Sequence, residues 1–363
     1  MPINIGLRKV LSPFLPASVS GNLSYMPIWL VFAAVLVASL LSTWVLRRYA
    51  LSRSLMDIPN SRSSHSVPTP RGGGVAIVLT YLAALVFVAF AGWVSWSVTW
   101  PLLGAGVLIA VVGFLDDHGH IAARWRLLAH FGGAIWALSW MGGLPTISLA
   151  GIELELGWLG HVLAALYLVW MLNLYNFMDG IDGIASVEAV CACLGACLVY
   201  WLTGHENLML TPMLLVVAVI GFLYWNFPPA RIFMGDAGSG FLGIVIGVLS
   251  LQAAWVAPQM LWVWLILLGV FIVDATFTLG RRLMRGDKVY EAHRSHAYQY
   301  ASRKMGRHLP VTLGVAAINV FWLLPVAVCV GRGLDGALGL VMAYVPLVLL
   351  AVKFHAGELE KTG

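Results

Sequence analysis

The chain reads as an all-α polytopic membrane protein with about eleven transmembrane helices. Three observations lead there. The 363-residue sequence is 60% hydrophobic and only 10% charged, where soluble domains carry about 25% charged residues. Its mean hydropathy is +0.88. Long apolar runs recur along the chain, and the basic residues fall on alternate connecting segments.

Residues 1–25 are interrupted by Pro13, Pro16, Gly21 and Asn22 and lack the clean apolar core of a cleavable signal peptide. The first run, 26–46, is long enough to span, since a hydrocarbon core takes roughly 20 residues of helix. A basic loop, DIPNSRSSHSVPTPRGGG, leads into the second run, 74–91. The third, 98–114, runs into FLDDHGH, and the fourth covers 125–142. The fifth, 161–175, leads into NLYNFMDGIDG, which precedes 184–203 and 210–226. The segment NFPPARIFMGDAGSG opens the run 237–255, with Asp236 suited to the positive end of that helix dipole. The runs 259–280, 311–331 and 335–352 complete the set, and residues 1–363 form one integral membrane domain.

If the spans alternate, 47–73, 115–124, 176–183, 227–236, 281–310 and 353–363 share one side. Of the 21 Lys and Arg residues, all but Arg8, Lys9 and Arg332 lie on that side or its adjoining helix ends. The positive-inside rule places it in the cytoplasm. The formal charge of +5 is then a record of topology rather than a nucleic-acid signal. Cys191, Cys193, Cys197 and Cys329 lie in apolar runs and read as small packing residues. Trp93, Trp96, Trp100, Trp158, Trp255, Trp262 and Trp264 sit near span ends and read as interfacial belts.

The acids carry the functional signal. A charged side chain at a bilayer centre costs roughly 2.5–3.5 kcal/mol on insertion scales. Asp116, Asp117, Asp179, Asp182, Asp236 and Asp274 nevertheless stand in or beside the loops. All but Asp274 belong to motifs on the basic side, as does EAHRSHAYQ. Sidedness follows from hydropathy and Lys/Arg alone, so the gathering of these motifs is independent support for one cytoplasmic-face site. Carboxylates and amide oxygens are hard ligands that suit Mg²⁺ or Mn²⁺. Arg and His bind phosphate oxygens, and glycines beside Asp179, Asp182 and Asp236 let backbone approach a ligand. The chemistry indicated is a metal-bridged phosphate substrate at a membrane surface. Each motif also has a plain reading: a solvated acid pair, an Asx turn, a helix start. Their convergence favours the functional one.

The ordered set SRSSHSVPTPRGGG, FLDD, NLYNFMDGIDG, NFPPARIFMGDAGS and a histidine motif resembles the polyprenyl-phosphate N-acetylhexosamine-1-phosphate transferases, glycosyltransferase family 4, from about Asp57 to His296. The resemblance implies transfer of a sugar 1-phosphate from a UDP-N-acetylhexosamine to undecaprenyl phosphate, giving undecaprenyl-diphospho-sugar and UMP. It implies a bacterial inner membrane enzyme whose active site faces the cytoplasm, with Mg²⁺ as cofactor and Mn²⁺ as an alternative. Asp236 and Asn176 match the metal site, Asp116 and Asp117 the catalytic acid pair, and Asn173 the first Asn of the family's N-x-x-N. Asp179 and Asp182 match the nucleotide-side acids. Arg71 and His65 fall in the loop assigned to the lipid phosphate, whose plain reading is an anchor to anionic lipid heads. His293, Arg294 and His296 fall in the histidine motif, with Arg294 a donor-phosphate contact.

The peptidoglycan branch carries three consecutive histidines, where this chain has His293-Arg294-Ser295-His296, and its loop after the acid pair is basic where this one reads HGHIAARWR. Those departures resemble the O-antigen-initiating branch, with UDP-N-acetylfucosamine, UDP-N-acetylquinovosamine or UDP-N-acetylglucosamine as donor. The peptidoglycan and teichoic-acid branches are the alternative. Asp274 has two readings, a partner of Arg281 or Arg282 or a lining of a lipid groove, and Glu188 is expected to face the same cavity as the acids. A homodimer stays open as the assembly. A transporter would hold its acids near the midplane, with inverted repeats. Here they lie at loop edges and no repeat relates the halves. A lipid-binding scaffold has no need of Asp116, Asp117 and Asp236 together.

Overall fold

The computed structural model describes residues 27–59, 64–119, 121–149, 152–287 and 294–359. Segment 1–25, His293 and residues 60–63 of the basic loop lie outside the described residues. A helix stands at each of the eleven expected spans. They are α1 (Ile28–Ser52), α2 (Val75–Phe90), α3 (Trp96–Gly119), α4 (Ala123–Met141), α5 (Gly157–Phe177), α6 (Ile184–Thr203), α7 (Leu210–Asn226), α8 (Asp236–Val256), the pair α9 (Gln259–Leu267) and α10 (Gly269–Arg285), then after the short α11 (Ala297–Met305) the run α12 (Leu309–Ile318), a π-helical turn (Asn319–Leu323) and α13 (Leu324–Gly331), and finally α14 (Gly336–Lys353).

Among the described residues eight helical stretches are long and apolar enough to cross a membrane, and nine if α9 and α10 count as one span. The other two expected spans are weaker: α2 has only 16 residues, and α4 begins with Arg124 and Arg126. The α9–α10 span is not the straight helix that its apolar run suggests. It bends by 74° at Leu268.

Helix α8 is the axis of the bundle, packed mainly between α3 and α5. Nearly all of its residues are buried, from Ala237 to Ala254. Small residues permit this, because without a hydrophobic drive between helices in lipid, association rests on close packing. A Cβ on Gly238 would lie 2.6 Å from Cα of Gly74, so the two backbones touch at the start of α8. Trp264, expected at an interface, is instead fully buried and donates its indole N–H to the Tyr200 hydroxyl at 2.6 Å. That partner removes the cost of burying its one polar atom.

Two short antiparallel pairs, β1 (Met56–Asp57) with β2 (Thr69–Pro70) and β3 (Ile147–Leu149) with β4 (Ile152–Leu154), are the described strands. The first pair matters for the site. Its register sets Met56 against Pro70. The backbone then continues by pairing with the chain before α8: Phe233 N donates to Pro70 O, Gly73 N to Phe233 O and Gly74 N to Met234 O, each at 2.8–2.9 Å. Arg71 is thereby delivered next to Asp236.

A second tie joins the loop after α5 to α12. His308 Nδ1 lies 3.0 Å from Asp182 Oδ1, and its Nε2 meets Ser64 O at 2.9 Å. Asp182 Oδ2 accepts the Ala230 N–H at 3.0 Å. Burial opposes charge on His308, but the Asp182 carboxylate and Ser64 carbonyl outweigh it, and its pKa is raised.

This packing has two measurable consequences. Gly238→Val destabilises the fold by about 1–3 kcal/mol, because backbone rather than a flexible side chain blocks the new methyls; thermal unfolding in detergent measures it. The charged His308 stabilises the fold fully below its unfolded pKa of about 6.5, and that contribution fades as pH rises through the higher folded value. The melting-temperature gap between the parent and His308→Gln is therefore widest in mild acid and narrows in mild alkali, and a pH-independent gap would contradict it.

Candidate active site

The motif-bearing ends of α2, α3, α5 and α8 meet at one end of the bundle. Asp117, at the end of α3, is almost wholly buried. Its Oδ1 accepts the N–H of Asp236 at 3.1 Å and its Oδ2 that of Ala237 at 3.2 Å. A carboxylate at a helix N-terminus satisfies amides that have no partner within the helix. The approach requires Gly235, whose φ is +80° and whose Cβ would lie 2.7 Å from Asp117 Oδ2. The start of α8 is thus fixed by the second acid of FLDD.

Arg71 Nη2 bridges two acids, 2.8 Å from Asp117 Oδ1 and 2.7 Å from Asp236 Oδ1. Burial works against its charge, and Asp236, Asp117 and Asp57 outweigh burial, so its pKa is raised. Asn176 Nδ2 donates to the same Asp236 oxygen at 3.2 Å and to Ser239 Oγ at 2.9 Å. Asp116 pairs with Arg126 Nη1 and accepts the Ile121 N–H at 2.7 Å. Arg126 also lies 4.0 Å from Asp236 Oδ2. FLDD therefore points its two acids in different directions, one to the α8 amides and one to α4.

Two cavities meet here. The first is polar, lined by Asp57, Ser64, His65, Arg71, Asp179, Asp182 and His308 among others. The second is largely apolar, lined by Ile109, Leu127, Phe131, Leu166, Val169, Trp170 and others, with Asp116, Arg126, His130, Asn173 and His296 set among them. Asn176 and Asp236 line both.

The structure sorts the expected residues accordingly. Asp179 and Asp182 go to the polar cavity. Burial, then the charges of Asp236, Asp117 and Asp182, push the Asp179 carboxyl well above its usual range, with Arg71 opposing. Both carboxylate oxygens of Asp182 are engaged by His308 and Ala230, which gives it a structural duty as well. His65 lies with its Nε2 3.9 Å from Asp57 and without a hydrogen bond, its ring edge on Phe233. Asn173, one turn before Asn176, goes to the apolar side, where its amide donates to Val169 O at 2.7 Å. Arg294 is half-buried, and its carbonyl accepts from Arg303 at 3.1 Å.

His296 lines the apolar cavity and is held at Nδ1 by Asp274 Oδ1 at 3.2 Å. Neither sequence reading of Asp274 holds. It accepts the N–H groups of Ala297 and Tyr298 at 3.0 Å each and so caps α11, while Arg281 pairs with Glu358 and Arg282 with Asp287. Glu188 does not face the acids. It is fully buried between α6 and the π-helical turn, bonded to Asn319. Sequence reasoning also passed over Arg126, His130 and His308. Arg126 was counted only toward topology, although it follows Asp116 at the start of the next helix.

Among the described residues no three His, Cys, Asp or Glu side chains converge as a ready ligand cluster. The donor chemistry still suits a hard cation. Four carboxylates, of Asp57, Asp179, Asp182 and Asp236, face the polar cavity against one arginine. Mg²⁺ is commonly held by one or two carboxylates together with substrate phosphates. Asp236, with Asn176 beside it, offers the carboxylate at the junction.

Residues 99–254 match the family described as glycosyl transferase family 4. The chain is 34% identical over 272 residues to a probable undecaprenyl-phosphate N-acetylglucosaminyl 1-phosphate transferase of Bacillus subtilis, covering 74% of this chain and 75% of that one. It is 28% identical to the decaprenyl-phosphate N-acetylglucosaminephosphotransferase of Mycolicibacterium smegmatis, covering 87% of each. A phospho-N-acetylmuramoyl-pentapeptide-transferase of Streptococcus pneumoniae is 28% identical over 253 residues, covering 64% of this chain and 76% of that one. With its motif-bearing helix ends gathered around Asp236 and this extent of likeness, the chain belongs to the polyprenyl-phosphate N-acetylhexosamine-1-phosphate transferase family.

Proposed function

We propose that the protein transfers N-acetylhexosamine-1-phosphate from a UDP-sugar to undecaprenyl phosphate at the cytoplasmic face of the bacterial inner membrane, releasing UMP. The observation that carries this reading is the junction of a polar and an apolar cavity at Asp236 and Asn176. A nucleotide sugar suits the first and a polyprenyl chain the second, so the two phosphates meet at the shared residues. The donor is UDP-N-acetylfucosamine, UDP-N-acetylquinovosamine or UDP-N-acetylglucosamine, and the product begins an O-antigen glycan. The alternative is the peptidoglycan or teichoic-acid branch. The likeness to the streptococcal enzyme supports it, and the sequence His293-Arg294-Ser295-His296 speaks against it.

The acceptor is a phosphate monoester with a second pKa near about 6, so at neutral pH it is largely a dianion. A general base is then less necessary than a way to bring two anions together. Arg126 on the apolar side and Arg71 on the polar side offset that repulsion. Asp117 has both oxygens committed to the α8 amides and Arg71, so we assign it to positioning, and direct attack on the sugar-bearing phosphorus is favoured over an aspartyl-phosphate on that residue. Asp116 holds Arg126 in place. Asp236, with Asn176 beside it, would hold Mg²⁺, which would supply charge neutralisation at the phosphates.

Purified protein incubated with tritiated UDP-sugars and undecaprenyl phosphate moves label into the lipid phase in the presence of Mg²⁺ but not EDTA. Asp236→Asn lowers that rate by about a hundredfold or more. The donor with the highest kcat/KM names the branch. A folded protein that releases no UMP across a broad UDP-sugar panel would overturn the reading. Arg126→Met, which removes the acceptor-side cation, raises KM for the lipid phosphate more than KM for the nucleotide sugar; equal effects on both would contradict the division into two cavities.

A further inference from the structure

The apolar cavity holds a polar side chain to which the transfer reaction has so far given no part. Ala123, Arg126, Leu127, His130 and Phe131 line it from α4. Steps of three and one residues set these five on one face of the helix, with His130 one turn beyond Arg126. Arg126 is held by Asp116 and lies 4.0 Å from Asp236 Oδ2, at the junction of the two cavities. His130 lines the apolar cavity and not the polar one. Its ligand therefore comes from the lipid side.

The hydrogen bonds of α5 decide which ring nitrogen carries the proton. Asn173 Nδ2 donates to Val169 O at 2.7 Å, and this carbonyl fixes which end of the amide is the nitrogen. The same Nδ2 lies 3.4 Å from His130 Nδ1. An amide nitrogen only donates, so Nδ1 is the acceptor and the ring hydrogen stands on Nε2. Among the described residues no protein group accepts from Nε2, and the atom is not sealed off from the cavity.

That N–H is a liability once the cavity is filled. A prenyl chain lying against Leu127, Phe131, Val169 and Trp170 drives out water. An N–H stripped of water costs free energy unless a new acceptor reaches it, and an isoprene unit has none to offer. The phosphate at the head of the chain has several oxygens and accepts from more than one donor. Residues one turn apart on a helix have Cβ atoms about 6 Å apart, close enough for Arg126 and His130 to hold two oxygens of one phosphate.

We propose that His130 recognises the acceptor phosphate: its Nε2–H donates to one oxygen while Arg126 takes another, and the pair selects a prenyl phosphate over the corresponding prenol. This rests on the function proposed above and adds the groups that read the acceptor's head. Glutamine sets an amide nitrogen close to where Nε2 stands, asparagine sets one close to Nδ1, and leucine keeps the bulk without a donor. The three substitutions separate donation from packing.

The test measures equilibrium binding of tritiated undecaprenyl phosphate and tritiated undecaprenol, without a nucleotide sugar, to the purified parent and to His130→Leu, His130→Asn and His130→Gln. In His130→Leu and His130→Asn, affinity for the lipid phosphate falls by about tenfold while affinity for the prenol stays within about twofold, and His130→Gln stays near the parent. In the transfer assay, KM for the lipid phosphate rises in the same two variants and KM for the nucleotide sugar does not, which also shows that they are folded. Undiminished binding of the lipid phosphate by His130→Leu would overturn the proposal. So would an equal loss for both lipids, the mark of a ring that only packs, or a rise in KM for the nucleotide sugar as large as that for the lipid. A parent that binds the phosphate and the prenol alike would overturn the placement of the acceptor head in this cavity together with the part given to His130. A parent that shows the expected binding pattern but transfers no label would sink the assigned reaction and leave the phosphate contact standing.

Discussion

The Arg71 guanidinium between Asp117 and Asp236 is the interaction on which the site depends. Two carboxylates this close, in a region of low dielectric, repel strongly unless a cation stands between them. The bridge joins the loop before α2, the end of α3 and the start of α8. Each partner is fixed independently: Arg71 by backbone pairing with 233–234, Asp117 by the amides of α8, and Asp236 by Asn176. Removing one member leaves the other two fixed but electrically unbalanced, so charge balance and helix packing are one problem here rather than two.

From that junction the fold separates two solvents. The polar side is built from loops, whose backbone can turn toward a nucleotide. The apolar side is built from the flanks of α3, α4 and α5, whose side chains suit an isoprenoid. Asp116 and Asp117 are adjacent in sequence yet serve different sides, because successive residues on a helix point about 100° apart. A pair that reads as one catalytic unit is thereby split into an arginine holder and a helix cap.

Much of this was legible in the sequence. The spans were, because apolar runs bounded by loops leave little choice in a bilayer, and a helix stands at each expected position. So was the gathering of the aspartate motifs, which follows once the spans alternate. The 74° bend was not, since residues 264–272 read WLILLGVFI with no proline and no charge to mark a stop. Nor were the partners of Asp274 and Glu188, which lie at distances of 22 and 131 residues along the chain. Trp264 looked interfacial because only the tertiary structure supplies Tyr200. What sequence hides here is partner choice among buried polar groups, which depends on bends rather than on composition.

The cap that Asp274 places on α11 has a mechanical consequence. Residues 288–293, with His293 of the histidine motif among them, lie between α10 and α11 in sequence and outside the described residues. Both of their flanks are clamped from elsewhere: α10 by Asp287 and the chain after α14, α11 by Asp274. Asp274 joins His296 and the first amides of α11 to α10 through one carboxylate. One carboxylate therefore couples two helices: a change in the direction of α10 carries His296 with it, so substitutions along α10 are felt at the wall of the apolar cavity.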